Sequence, residues 1–558
     1  MKILRVLALV AGLGAVLAGC DDAFLTTVPQ DRISDETYWQ TPKDFEAALN
    51  AGYRNLVTLD QMYIDGATDI GYSQQYWMRE SPYARGEQNA QTGWGHDLWV
   101  NLYQGVAKVN DVLAHLKTQT TLTQEQATQL EAEARFLRGY YYHELLWLYG
   151  GVPLLTTVPS PDSALTIPRA SHDEVLDLVL SDLTFAGENL PKVRYQPSDA
   201  NYGRATAGAA LAYKARAALY AASLAKYADG DQEKANQLFA TARDAAKAVM
   251  DLGVYSLYPD YRKLFTNAGE GNEEVIFDYQ VVKGQNGWWA WKGFAPHSMG
   301  GNVDMTPTRA LVDAFDMANG KPITDPTSGY DPSPPVIEYD AAGNPTVVSL
   351  GMYANRDPRL YATVLFPGAQ FNGTVYNSFP DSPTADRLDP SNFYNTHTGY
   401  MALKYVDPVD QFDVWNSGIN TIKMRYAGVL LMYAEAMIEL GDWADPSVAD
   451  ALNQIRDRVD MPHVSLTSQQ EAIDVVRHER VVELAWEGLR LADLRRWRIA
   501  EDVLPGKVYG IDYRDENGNV VTAESADTRK FEAPRDYLWP IPQTERDLNP
   551  DLEQNPGY

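Results

Sequence analysis

The sequence predicts a mostly α-helical protein, in which tetratricopeptide-like helix pairs form a scaffold with long, loop-rich insertions and a few short strands. Three observations lead to this prediction. Helix start signals recur, in which Ser or Thr is followed three residues later by Glu or Gln. Small residues gather on one side of several predicted helices and allow close helix pairing. Between about residues 255 and 420 the helical pattern fades, and Gly, Pro, Asn and Asp become dense.

The N-terminal helices are placed by capping pairs and by apolar residues at helical spacing. They are predicted at residues 99–116, from Thr123 towards Tyr149, from Ser171, at about 205–226 and at about 232–252. The second of these is expected to stop at Gly150-Gly151, because glycine ends helices readily.

The C-terminal helices follow a loop-rich stretch. A helix pair is predicted to begin at Lys423 and to continue through Ala451–Arg458, and Ser468 with Glu471 opens a further helix. The stretch before them contains short strand-like pieces, such as Glu274–Phe277. Loops of this length inside a folded protein usually carry function, so binding residues are expected there.

The N-terminus has the pattern of an export signal. Residues 1–19 are predicted to be a signal peptide, since the apolar run Val6–Ala18 is shorter than the roughly 20 residues of a membrane-spanning helix. The closing Leu17-Ala18-Gly19-Cys20 resembles a bacterial lipobox, in which the cysteine is lipidated. Cys20 is the only cysteine and therefore forms no internal disulfide. The alternative is an ordinary signal peptide with an accidental cysteine.

The charge balance excludes several kinds of partner. The chain has 75 acidic and 47 basic side chains and a net charge of −28, which argues against binding nucleic acid or adsorbing to anionic lipid. Its 34 tyrosines, 13 tryptophans and 15 phenylalanines instead favour recognition by flat, amphipathic rings.

The tryptophans in glycine-rich segments are the predicted ligand-binding residues. Trp94 lies between two glycines and is expected at a loop tip, and Trp77 belongs to a nearby aromatic cluster. Three more tryptophans share a second glycine-rich segment; in an extended chain Trp289 and Trp291 would share a face opposite Trp288. These five side chains form the predicted aromatic platform. The alternative for each is packing in the core.

No catalytic residue and no metal site are predicted. Two His-Glu pairs begin like a zinc-protease motif, but Val482 and Trp147 stand where the second histidine must be. Glu483 and Glu487 alternate with arginines at helical spacing, which is typical of a salt-bridged helix face; a catalytic role is the alternative.

No cofactor is predicted, with calcium as the one alternative. Residues 513–518 half-resemble a calcium-binding loop, although Tyr513 occupies the first ligand position. The simpler interpretation is a tight hairpin turn at Asn517-Gly518.

Several motifs together resemble the SusD/RagB family of outer-membrane, glycan-binding (nutrient-binding) lipoproteins. They are FLTTVPQDRISDETYWQTPKDFEAALNAGYRNL, LEAEARFLRGYYYHELLWLYGGVPLL, MRYAGVLLMYAEAMIELGD, VVRHERVVELAWEGLRLADLRRW and YLWPIPQTERDLNPDLEQNPGY. The resemblance spans nearly all of the mature chain, in the family's order. It divides the chain into an N-terminal region (20–255) and a C-terminal region (256–558), expected to form one compact unit.

The resemblance implies a function in nutrient capture. A cell-surface lipoprotein held in the outer membrane by lipid on Cys20 would bind an oligosaccharide and deliver it to a SusC-like TonB-dependent transporter, without breaking a bond. Asp21-Asp22 resembles the acidic export signal of surface lipoproteins. One alternative keeps this architecture but captures peptides. A remote alternative is a lipid-anchored glycoside hydrolase, which needs only two suitably spaced carboxylates.

Overall fold

The structure, a computed structural model, describes residues 38–58, 60–526 and 528–558. The predicted signal peptide (1–19), the predicted lipidation site Cys20 and the acidic pair after it lie outside the described residues.

Helices dominate the fold. The α-helices are α1 (Pro42–Tyr53), α2 (Asp60–Tyr63), α3 (Ser81–Ala84), α4 (Gly93–Thr118), α5 (Gln124–Tyr149), α6 (Pro161–Ala164), α7 (His172–Asn189), α8 (Ala207–Leu224), α9 (Gln232–Asp251), α10 (Ala290–Phe294), α11 (Arg309–Ala314), α12 (Pro358–Thr363), α13 (Tyr426–Glu439), α14 (Pro446–Asp457), α15 (Gln469–Leu484), α16 (Arg490–Arg496), α17 (Ala500–Val503) and α18 (Gln543–Leu548). A π-helical turn, Ala225–Asp229, continues α8.

The strands are short and pair in twos. They are β1 (Gly71–Tyr72), β2 (Val275–Tyr279), β3 (Thr306–Pro307), β4 (Val336–Tyr339), β5 (Pro345–Ser349), β6 (Val364–Leu365), β7 (Gln370–Phe371), β8 (Thr374–Val375), β9 (Met401–Ala402), β10 (Thr421–Arg425), β11 (Tyr509–Arg514) and β12 (Val520–Glu524). The antiparallel pairs are β1–β3, β2–β10, β4–β5, β6–β9, β7–β8 and β11–β12.

The long helices stack in sequence order. Helix α4 packs on α5, α5 on α7, α7 on α8, α8 on α9, and α9 on α13. The predicted caps begin α5, α7 and α15: the hydroxyls of Thr123, Ser171 and Ser468 each accept a hydrogen bond at 3.2 Å from the backbone N–H three residues later. The prediction of a mostly helical scaffold with loop-rich insertions is confirmed.

Small residues let these helices approach closely, as predicted. A Cβ atom on Gly105 of α4 would lie 2.5 Å from the Tyr141 ring of α5, and one on Gly139 would lie 2.9 Å from Leu183 of α7. Beside the second contact, the buried Arg138 guanidinium donates two hydrogen bonds, at 2.6 and 2.9 Å, to the Asp182 carboxylate. Such a paired, two-point contact fixes the relative position of α5 and α7.

The helix predicted to begin at Lys423 begins later. Residues 421–425 form β10, which pairs with β2, and α13 starts only at Tyr426. The five residues of β10 are all buried, and their backbone polar groups must therefore be hydrogen-bonded within the protein. Pairing with β2 supplies these bonds before the helix begins. The hairpin at Asn517-Gly518 is confirmed: β11 and β12 pair, and Gly518 N–H bonds to Asp515 O at 2.9 Å.

Glu483 and Glu487 are salt-bridged, as predicted, and both lie in the interior of the fold. Their carboxylates and that of Glu274 surround the buried Arg425 guanidinium at 2.6–2.7 Å. Arg458, Arg359 and Lys404 complete this group, which we call the buried ion cluster. Burial opposes ionisation of Glu483, but the surrounding cations outweigh it and hold its pKa well below the usual value. These contacts assign both glutamates to the packing of β10 against the turn after α15.

Candidate functional site

An open cavity of about 590 Å³ lies among the loops. Six stretches of chain contribute to it: the turn around α2, the segment between β1 and α3, the start of α10, the segment before β3, the loop before β9 and the loop before β10. Its lining residues are Thr58, Tyr63, Gln75, Trp77, Met78, Arg79, Glu80, Trp289, Asn302, Asp304, Tyr394 and Trp415. We call it the aromatic cavity.

Two of the predicted tryptophans meet there. Trp77 and Trp289 lie more than 200 residues apart in sequence and both line the aromatic cavity, with 50% and 43% of their surface exposed. Trp289 precedes the first turn of α10, and its indole N–H points to the Tyr63 hydroxyl at 3.4 Å. The ring is thus held in place while one side remains open to solvent.

Two further aromatic residues of the cavity were missed from the sequence. Trp415 and Tyr394 are 59% and 47% exposed and lie on loops of the 255–420 region. The Lys292 ammonium lies 5.4 Å from the Trp415 ring, a cation–π contact that orients it. Each ring stands among Asn, Asp and Gly residues, which is the signal that could have found them.

Polar groups stand between the rings. The Tyr63 hydroxyl donates to Asp304 Oδ2 at 3.1 Å, and the Gln75 amide donates to Asn302 O at 3.2 Å. Glu80 also lines the cavity, and its carboxylate accepts a hydrogen bond from Ser73. Carboxylates, amides and a phenol fixed around open aromatic faces can bind a ligand that carries both hydroxyl groups and apolar C–H surface.

Asp304 is a carboxylic acid of the cavity wall whose pKa is shifted by burial. Burial raises its pKa to about 6, and the Tyr63 hydroxyl only partly offsets this effect. The pKa of Asp304 is 3.8 in the unfolded chain and about 6 in the folded protein. The free energy of unfolding therefore falls as the pH rises from 3.8 to about 6. Above pH 6 Asp304 is ionised in both states, and the reduction in the free energy of unfolding stays constant.

Replacing Asp304 by asparagine is therefore expected to stabilise the protein at neutral pH. The amide oxygen still accepts from Tyr63 while the buried charge is gone, so at pH 7 the free energy of unfolding should rise by about 1–3 kcal/mol. The gain should shrink towards pH 4, as Asp304 becomes protonated in the wild type. Urea unfolding of both proteins at pH 7 and pH 4.5 measures the difference.

The control for this prediction is Asp325→Asn. Thr327 hydrogen bonds hold the pKa of the exposed Asp325 below its usual value, so its replacement should cost stability at pH 7 rather than add it. If Asp304→Asn and the wild type were equally stable at pH 7, ionisation of Asp304 would not reduce the free energy of unfolding, and the prediction would be wrong.

The other three predicted tryptophans do not reach the cavity. Trp94 is 3% exposed and packs on Tyr83 and Trp539, with ring centroids 5.5 and 5.2 Å away. The prediction of an exposed loop tip is wrong, because α4 begins at Gly93 and carries Trp94 into the core.

Trp288 and Trp291 are buried as well. The extended geometry in which Trp289 and Trp291 would share a face is not adopted, because residues 290–294 are helical and Trp291 is buried while Trp289 is exposed. The Trp288 N–H donates to Ile419 O at 2.7 Å, and Trp291 stacks on Phe371 at 6.0 Å and donates to Met299 O. Both therefore fix the loops that hold Trp289.

Metal-binding groups do not gather anywhere in the described parts of the chain: no three His, Cys, Asp or Glu side chains are placed to hold an ion. In the turn that half-resembles a calcium-binding loop, the Asp515 carboxylate accepts hydrogen bonds from the backbone N–H groups of Asn517 and Asn519.

The fold is a scaffold of stacked helices that carries an open aromatic cavity on its loops. Its family is shown by comparison with known proteins. The chain belongs to the SusD family, whose model matches residues 269–558; a second model, described as "Starch-binding associating with outer membrane", matches residues 31–219. The resemblance to SusD/RagB proteins is confirmed.

Relatives match the chain over most of its length. SusD-like protein P2 of Formosa agariphila is 24% identical over 576 residues, covering 97% of each chain. A SusD-like protein of Bacteroides ovatus is 24% identical over 504 residues, which is 88% of this chain and 82% of that protein.

Solved structures share the fold. A SusD-like carbohydrate binding protein from Bacteroides fragilis superimposes with a TM-score of 0.80 and 27% identity, over 93% of this chain and 100% of the other. Surface glycan-binding protein A from Bacteroides fluxus gives a TM-score of 0.68 and 21% identity, over 93% and 100%, and shows the fold alone.

Across the described ranges, every helix is too short or too polar to span a bilayer.

Proposed function

We propose that this protein is a cell-surface lipoprotein that binds a neutral oligosaccharide in the aromatic cavity. One observation carries the proposal: Trp77, Trp289, Tyr394 and Trp415 come from separate segments of the chain and present exposed rings to one cavity. Exposed apolar side chains that gather at one place, unlike isolated ones, are typical of ligand-binding or interaction sites. The B. fragilis structure described as a SusD-like carbohydrate binding protein supports the same ligand class.

The cavity suits a sugar chain chemically. A pyranose ring has apolar C–H faces that stack on indole and phenol rings, and hydroxyl groups that bond to carboxylates and amides. The cavity wall holds two carboxylates, Asp304 and Glu80, against one guanidinium, Arg79, and the whole chain carries a charge of −28. The excess of negative charge disfavours an acidic glycan and leaves a neutral one unaffected.

Delivery to a SusC-like TonB-dependent transporter completes the proposal. Lipid on Cys20 would hold the protein in the outer membrane, and the family description that refers to the outer membrane supports this location. In this arrangement the helical scaffold contacts the transporter and the loops hold the cargo. Recovery of a TonB-dependent transporter with the tagged, lipidated protein from detergent-solubilised outer membranes would support the partnership; recovery of the protein without a transporter would contradict it.

Titration calorimetry of the mature chain tests the ligand class. Neutral oligosaccharides of several linkages are compared with the corresponding uronic-acid oligosaccharides and with a peptide pool. We expect saturable binding of at least one neutral glycan and none of its acidic counterpart or of the peptides. Saturable binding of peptides alone would establish the peptide-capturing alternative instead.

Release of reducing ends tests for catalysis. Because Asp304 and Glu80 both line the cavity, the same glycans are incubated with the protein for long periods. A binding protein leaves the chain length unchanged. Turnover that disappears in Asp304→Asn would make the protein a glycoside hydrolase.

A further inference from the structure

A second cavity, of about 420 Å³, lies within the helical scaffold and shares no lining residue with the aromatic cavity. It is bounded by the ends of α5 and α8, the start of α7, and α16. Its walls are mainly apolar and include Leu146, Trp147, Tyr220, Ala221, Leu224 and Ala492. A water molecule occupies roughly 30 Å³ of liquid, so this space exceeds what one or two ordered waters fill. We call it the scaffold cavity.

Arg495 gives the scaffold cavity its polarity. The side chain lines the cavity and the residue is 6% exposed, yet Nε and Nη1 are buried with no hydrogen-bond partner in the described structure. Burial lowers the pKa of Arg495 to about 10, so it remains charged at neutral pH. Buried guanidinium donors without an acceptor are rare, because each lost hydrogen bond to water must be replaced.

Two of the neighbouring cations have carboxylate partners, whereas Arg498 resembles Arg495 in that its Nε is also buried without a hydrogen-bond partner in the described structure. Lys234 pairs with Asp173 at 2.6 Å, and Arg496 pairs with Glu435 at 2.5 Å. The Arg498 guanidinium lies over the Tyr537 ring at 4.0 Å. Arg495, with two such donors against one on Arg498, is thus the cation of the cavity wall with the most unused hydrogen-bonding capacity.

We infer that the scaffold cavity binds a small monocarboxylate, whose apolar body fills the space between α5 and α8 and whose carboxylate accepts hydrogen bonds from Arg495. The planar guanidinium fork matches the two oxygens of a carboxylate. Asp173 and Asp229 also line the cavity and disfavour a dianion such as a phosphate monoester.

Octanoate is the probe for this site, and octanamide and octyl phosphate are its comparators. Titration calorimetry of the mature chain is expected to show octanoate binding, with octanamide at least about tenfold weaker because it lacks the charge. Octyl phosphate is expected to bind more weakly than octanoate. Equal binding of octanoate and octanamide, or no octanoate binding at millimolar concentration, would overturn the inference.

Arg495→Met should weaken octanoate binding at least about tenfold, since it keeps the length of the side chain and removes the guanidinium. Its matched control is Lys234→Met, which removes a cation of the same cavity that already has a partner; it should change the affinity less than about threefold. Retained binding in Arg495→Met would refute the assignment of Arg495.

The thermal midpoint of Arg495→Met distinguishes the loss of a ligand contact from a failure to fold. Removing a buried, unpaired charge should leave the thermal midpoint of Arg495→Met at or above that of the wild type, while the upward shift caused by octanoate is lost. Leu224→Trp blocks the cavity from the opposite wall and should abolish binding with Arg495 intact. A crystal structure at saturating octanoate with only water on the guanidinium would also refute the proposal. None of these outcomes depends on glycan binding in the aromatic cavity.

Discussion

Replacing Trp289 by alanine is expected to lower the affinity for a neutral oligosaccharide by about 10- to 100-fold, with little change in stability. The indole is 43% exposed, so its removal leaves no large hole in the core, but it takes away the ring face beside Tyr63 and Asp304. Titration calorimetry with the best-binding glycan measures the loss.

The control for Trp289→Ala is Tyr509→Ala. Tyr509 is 48% exposed on β11, outside the aromatic cavity, so its removal deletes a comparable ring without touching the proposed site. The affinity should be unchanged within about twofold. Trp415→Ala should also weaken binding, since its ring lines the same cavity. Unaltered glycan affinity in both tryptophan variants would place the ligand elsewhere.

The regular helices could be predicted from sequence because their signals are local. A hydroxyl at the cap and a carboxylate or amide three residues on act within one turn, as Ser171 and Glu174 do. The boundary at Lys423 failed for the opposite reason. Residues 421–425 pair with β2, about 145 positions earlier, and a partner that distant leaves no trace in the local pattern.

The candidate site was predicted only in part, because glycine has two structural roles: it occurs in loops, and it occurs where a large side chain packs closely against the backbone. Around Trp289 the glycines mark a loop, but beside Trp94 Gly95 serves close packing: a Cβ atom there would lie 2.7 Å from the Tyr83 hydroxyl. Composition does not distinguish a glycine that turns the chain from one that admits a ring. The same limit hid Trp415, whose role depends on loops that meet only in the folded chain.

Arg425→Met is expected to be the most destabilising of the substitutions considered, at about 3–5 kcal/mol. Arg425 is 2% exposed and holds the carboxylates of Glu274, Glu483 and Glu487 at 2.6–2.7 Å. Its removal leaves three buried carboxylates to share the remaining cations. Urea unfolding followed by near-ultraviolet circular dichroism measures the change.

A double substitution separates the loss of charge balance from the loss of packing. Glu487 bonds to Arg425 and Lys404, so Arg425→Met with Glu487→Gln removes one excess negative charge where the cation was lost. The double variant should regain about 1 kcal/mol or more over Arg425→Met, a coupling expected only for groups that interact directly. Lys247→Met, which breaks an exposed pair with Asp251, should cost far less, because exposed ion pairs contribute little to stability. If Arg425→Met and Lys247→Met cost the same, the cluster does not hold β10 in place, and the loops that carry the aromatic cavity must be fixed by their apolar contacts alone.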